Sequence, residues 1–219
     1  MTRPLPASNA RRHGAAIGVA MLALLVGCGS VQPPRYHTLM PAPASTVRPP
    51  APAGSLAWEV LPVAIPAGVD QPQWVVRTVD GSLAVLEQER WIAPLGEEIR
   101  AAVADRLTQD VGAPALSPES RKRWRIRIDV HRFDSAPGRE ARLEATWTLS
   151  SDADADAAAA LRCRGEFVQA LAASSYLALA KGHQQTVTRL ADAIGGELKA
   201  LNAGQTATCS PLASQLSQR

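Results

Sequence analysis

RWRIRIDVHRF, residues 123–133, alternates large apolar and charged side chains almost without a break. Trp124, Ile126, Ile128 and Val130 fall on one side of an extended chain, and Arg125, Arg127, Asp129 and His131 on the other. Successive side chains of a strand point to opposite faces, so this run predicts a strand with one greasy and one wet face. Working outward, ARLEATWTLS (141–150) opposes Leu143, Ala145, Trp147 and Leu149 to Arg142, Glu144, Thr146 and Thr148. LRCRGEFVQA (161–170) opposes Leu161, Cys163, Gly165 and Phe167 to Arg162, Arg164 and Glu166. Three such strands in succession predict an antiparallel meander, wet on one side, with hairpin connections around Pro137-Gly138 and SDADADAAAA.

The greasy face needs a cover, and two stretches have helical spacing. In APLGEEIRAAVADRLTQDVGAP (93–114), Leu95, Ile99, Val103 and Leu107 recur every four residues, Pro94 suits the first turn and Gly112 the end. Glu97 and Glu98 sit where the helix dipole favours acids. In YLALAKGHQQTVTRLADAIGGELKAL (176–201), Leu179, His183, Val187, Leu190, Ile194, Leu198 and Leu201 share a face, and Ser174 or Ser175 can cap the start. Gly195-Gly196 weakens this helix and marks close packing. Upstream, QWVVRTVDGSLAVLEQERW (73–91) reads as a hairpin, with β-rich runs 73–78 and 83–88 around Asp80-Gly81. LAWEVLPVAIP (56–66) reads as an edge or interrupted strand, and RYHTLMP (35–41) as a short edge strand flanked by prolines. The expected fold is α/β (α+β), a two-layer sandwich of a mostly antiparallel sheet with two helices on one face, in the order β-β-β-β-α-β-β-β-α. It forms a single domain over residues 36–203, with a flexible tail over 204–219.

The N-terminus has a different character. Residues 1–13 hold Arg3, Arg11, Arg12 and no acid, and residues 14–27 are wholly apolar or Gly. This is the layout of a secretory signal, too short in its apolar part for a membrane span. Leu25-Val26-Gly27-Cys28 resembles a bacterial lipobox, whose cysteine becomes the lipidated first residue of the mature chain. Residues 1–27 are then the signal peptide and residues 28–35 the lipidated tether, at the head of a stretch (29–54) with seven prolines. Such a stretch is extended and semi-rigid. Removing the signal takes three of the 23 basic residues and none of the 20 acidic ones, which leaves 20 of each. A neutral chain lacks the basic footprint that nucleic-acid binding requires.

Two cysteines remain after Cys28. Cys163 and Cys209 are either a disulfide, in the oxidising compartment beyond the inner membrane, or two free thiols. A bridge would close a loop of roughly 45 residues, worth about 4 kcal/mol in the chain-entropy account. The strand from Cys163 runs outward and the last helix returns, which brings Cys209 back toward it.

Catalytic motifs are missing from the sequence. His37, His131 and His183 fit no zinc pattern, no Cys-x-x-Cys or Gly-x-Ser-x-Gly occurs, and there is no phosphate-binding loop. Asp152, Asp154 and Asp156 open like a calcium loop, but Ala157 and Cys163 stand where glycine and glutamate are required. No metal or cofactor is expected. The arginines of the wet strand faces either meet an acidic partner or lipid headgroups, or pair across strands with Asp129, Glu144 and Glu166. Trp58, Trp124 and Trp147 are core candidates.

The lipobox, RYHTL, EVLPVAIPAGVDQPQWVVR, ERWIAPLGEEIRAAVADRL and TVTRLADAIGGEL together resemble the PqiC/YmbA family of auxiliary lipoproteins of ABC-type and MCE-type intermembrane transport systems. The resemblance covers about residues 36–201, and Arg90 to Leu95 is its most specific interior motif. It implies a periplasm-facing α/β domain with no catalytic residues or cofactor, held by lipid at the outer membrane. The implied partners are an MCE-domain membrane protein and the ABC and permease components. Gly29 is not the aspartate that retains such proteins at the inner membrane. Trp74, Arg77, Arg90 and Trp91, on the hairpin and the segment after it, are the candidate partner surface. The alternative is a periplasmic lipid-binding module that itself shields an acyl chain.

Overall fold

The computed structural model describes residues 32–42, 56–115, 123–152 and 161–209, all but the first two of them in the unit Pro34–Arg219. The meander is its centre. Strands β5 (Arg123–Ala136), β6 (Glu140–Ser151) and β7 (Leu161–Ala170) pair antiparallel, with Ile128 opposite Trp147 and Trp147 opposite Cys163. Trp124, Ile126, Ile128, Val130, Leu143, Trp147, Leu149 and Phe167 are all buried, as the alternation demands. The register slips once, between Val130 and Arg132, which shifts the phase of β5 by one residue. That bulge returns Phe133 and Ser135 to the core face.

β2 (Ala57–Val60) adds to this sheet parallel to β5 and gives the order β2-β5-β6-β7. Pro62 interrupts it, yet the chain keeps tracking β5: Leu61 N–H reaches the Ile126 carbonyl (2.9 Å) and Ala64 N–H that of Ile128 (3.2 Å). β1 (Arg35–His37), β3 (Gln73–Arg77) and β4 (Leu83–Trp91) form a second sheet, in the order β1-β4-β3. β3 and β4 are the hairpin read from Asp80-Gly81, and β1 lies parallel to β4. Gly81 has φ +91°, the left-handed conformation this turn requires. The element order matches the reading, with the strands divided between two mixed sheets.

Helices α1 (Leu95–Val111) and α2 (Tyr176–Asn202) cover the greasy face. α1 buries Leu95, Ile99, Val103 and Leu107 and ends at Gly112. Ser175 caps α2 by accepting the Ala178 N–H at 3.2 Å. The helices lie close: a Cβ on Gly195 would sit 2.6 Å from the Asp110 carboxylate and 3.4 Å from Leu107, whereas Gly196 faces open space. Arg106 bonds Asp192 (2.6 Å) and Lys199 bonds Asp110 (2.7 Å) across the pair. All five tryptophans are buried. Trp58 donates to the Gly112 carbonyl (3.2 Å) and Trp147 to Glu197 (2.6 Å), which supplies each indole N–H with the acceptor it needs away from water.

Candidate functional site

The N-terminal strand is fastened by buried polar groups. Glu89 on β4 is 2 % exposed and accepts from Arg35 Nε at 2.8 Å, with His37 Nε2 2.6 Å from its other oxygen. Glu98, in the first turn of α1, accepts from the Thr38 hydroxyl and the Leu39 N–H, each at 2.7 Å. From α2, the Gln184 side-chain amide donates to the carbonyls of Thr38 (3.0 Å) and Met40 (3.2 Å). A buried carboxylate is tolerable only when donors meet it: Glu89 has them on both oxygens, and Glu98 has two on Oε2. The clasp makes the segment arriving from the N-terminus an integral strand of the domain. Periodicity misses these residues, because it assigns Glu89 and Glu98 to solvent by residue type; the acid in the first helical turn is the one hint.

Behind the clasp lies an aromatic cluster. Trp74 stands 4.8 Å from His37 and 4.5 Å from Trp91 between ring centroids, and His183 stacks on Phe133 at 4.1 Å. The Trp74 N–H donates to Ser135 Oγ (2.9 Å), which lies 2.8 Å from His183 Nε2. Burial pushes the imidazole down to about 3, so His183 stays neutral. Ser135 and His183 are 1 % and 0 % exposed, so this pair meets no substrate and acts as packing.

The cluster corrects part of the expected partner surface. Trp74 and Trp91, 1 % and 4 % exposed, belong to the core and present nothing to a partner. Their indoles carry the largest apolar area in the hairpin, and the space between the sheets buries it. Arg77 and Arg90 are half-buried: Arg77 donates to the Gly81 carbonyl and to Asp134, both at 3.1 Å, and Arg90 to the Glu87 carbonyl at 3.2 Å. The exposed apolar groups of the hairpin are instead Val79, Leu83 and Val85, at 90 %, 60 % and 47 %. At its tip, hydrogen bonds from Thr78 and Ser82 draw the Asp80 carboxyl down to about 2 and stiffen the turn.

On the wet face of the meander, Arg125 pairs with Glu59 and Asp152, Arg142 with Glu140 and Glu166, and Arg164 with Glu144, which holds Glu144 below the usual carboxylate range. His131 contacts the Thr146 hydroxyl at 2.7 Å. Cys163 and Cys209 are joined as a disulfide, with 5.4 Å between their Cα atoms. Among the described residues no group of His, Cys, Asp and Glu is arranged to hold a metal, and no helix is long and apolar enough to cross a membrane. Cys28, the signal peptide and half of the tether lie outside the described residues, as do Asp154 and Asp156 and most of the expected tail.

The fold has solved relatives. A crystal structure of an uncharacterized protein superposes with a TM-score of 0.61 at 16 % identity, covering 76 % of this chain and 99 % of that one. A Xanthomonas campestris protein of the DUF330 family superposes with a TM-score of 0.56 at 22 % identity, over 78 % and 97 % of the two chains. At these identities the likeness is one of fold. No curated protein matches the chain. Residues 37–195 match the model of the ABC-type transport auxiliary lipoprotein component, a span that takes in the clasp except Arg35, the hairpin, the meander and most of α2. The chain belongs to the family of ABC-type transport auxiliary lipoprotein components.

Proposed function

We propose that this chain is a non-enzymatic, lipid-anchored auxiliary component of an ABC/MCE-type intermembrane lipid transport system, and that it docks the transporter at the outer membrane. The observation that carries this reading is that the first strand of the domain pairs with the strand that bears the exposed apolar groups. β1, which leads back toward Cys28, pairs with β4, and β4 also carries the exposed Leu83 and Val85. Acyl groups on Cys28 fix the domain to the membrane, and the residue after it, Gly29, supports the outer membrane as the address. Arg77 stands opposite Leu83 on the hairpin, a mixture of apolar and arginine groups common at protein interfaces. The partner is an MCE-domain membrane protein acting with its ABC and permease components, and the domain faces the periplasm.

The test is co-purification from native membranes. Replacing Leu83 and Val85 together by Glu is expected to abolish recovery of the MCE protein while the far-UV spectrum is retained. Undiminished recovery would remove the hairpin from the interface. Cys28→Ala is expected to release the protein from the membrane fraction; persistence there would refute the lipid anchor.

A further inference from the structure

We propose that a cleft between β3 and the β5–β6 hairpin binds a phosphate group. The cleft has a volume of about 330 Å³ and is lined by Arg77, Arg132, Arg139 and Arg142 against Asp134 and Glu140. Four guanidinium groups against two carboxylates leave +2 on its walls, of which Glu166, paired with Arg142 from β7, offsets one. The acids are already engaged: Asp134 with Arg77 (3.1 Å) and Arg132 (2.7 Å), and Glu140 with Arg142 (2.8 Å). Donors remain over. Arg77 Nε is buried without an acceptor although its two terminal nitrogens are bonded. The Arg139 side chain has no ion pair among the described residues.

The backbone beneath Arg139 is fixed. Its N–H reaches the Ala136 carbonyl (3.0 Å), its carbonyl accepts from Leu171 (2.8 Å), and Gly138 before it turns through φ +70°. A free guanidinium on a pinned turn, in a cleft also lined by Arg77, Arg132 and Arg142, is a pre-organised receptor for an oxyanion. Phosphate fits better than carboxylate, because its oxygens accept from several directions at once, as the convergent arginines require. Apolar groups lie on the neighbouring hairpin: Leu83 is the cross-strand partner of Arg77, and Val79 stands exposed in the connecting turn. Cationic walls beside a hairpin with exposed apolar groups suit a phosphate carried on an amphiphile as well as free phosphate. This inference is independent of the transport reading.

The test uses the full lipidated chain in nonionic detergent, melted with added inorganic phosphate, phosphatidylglycerol or diacylglycerol. A saturable rise in Tm with a phosphate-bearing probe, absent with diacylglycerol, is expected. Arg139→Gln is expected to weaken the apparent affinity about tenfold, the loss of one charge-assisted contact. A response to inorganic phosphate identifies free phosphate as sufficient; a response to phosphatidylglycerol alone identifies the lipid headgroup. No saturable response, an equal response to diacylglycerol, or an unchanged affinity in Arg139→Gln overturns the proposal. Arg139 is exposed and its side chain supports no other group, so the variant folds as the parent does.

Discussion

Glu98 Oε2 accepts the backbone N–H of Leu39 at 2.7 Å, although the two residues lie 59 apart in sequence. The bond joins the first turn of α1 to the chain just after β1, in a buried setting where neither group reaches water. It ties the N-terminal end of the domain to its core.

Glu98→Ala should therefore loosen the N-terminal segment. Removing the carboxylate orphans the Leu39 N–H and the Thr38 hydroxyl, at a cost of about 2–3 kcal/mol. Hydrogen exchange at Leu39 should accelerate by a comparable factor. Glu97→Ala, which breaks an exposed pair with Arg100, should cost no more than about 0.5 kcal/mol in the same urea titration. Equal effects would show that the clasp adds nothing to surface electrostatics.

His183 sets a pH dependence. Its folded value is depressed to about 3, against about 6.5 in the unfolded chain, so the unfolded state binds the extra proton between these limits. Stability is full above pH 6.5 and falls as the pH drops toward 3, by about 1.4 kcal/mol per unit for this one group. Asp80, drawn down to about 2, and Glu144, also lowered, act below the ordinary carboxylate range, which leaves pH 5–6.5 clear of them. His183→Gln should flatten the denaturation-stability profile there relative to the parent. Parallel profiles would mean that His183 takes up a proton in the native state.

The disulfide between Cys163 and Cys209 should be detectable as one cross-linked peptide after digestion without reductant. Cys209→Ser is expected to lower stability by about 2–4 kcal/mol and to abolish the further loss that dithiothreitol causes in the parent. A parent indifferent to dithiothreitol would show two free thiols instead.

The meander was legible because its burial is one-sided. A two-residue period survives every polar substitution on the wet face, so Trp124, Ile128, Trp147 and Phe167 announce themselves. The helices were legible for the same reason at their own period. The division into two sheets was not, because β1 pairs with β4 and β2 with β5 across long crossovers that leave no local trace. Trp74 and Trp91 were misplaced since a strand's pattern says which residues share a face, not which face is covered. Glu98 and Gln184 escaped because a polar residue bound to a distant backbone group looks, in sequence, like any solvent-facing one.

The parallel pairing of β1 also orders events in time. A chain exported from its amino end delivers β1 first, yet β4 follows some fifty residues later, and Gln184 stands 146 residues after the Thr38 carbonyl it caps. Until β4 and the first turn of α1 follow it, a leading end delivered first has nothing to close against. Gln184, in the early turns of α2, is the last part of the lock to arrive.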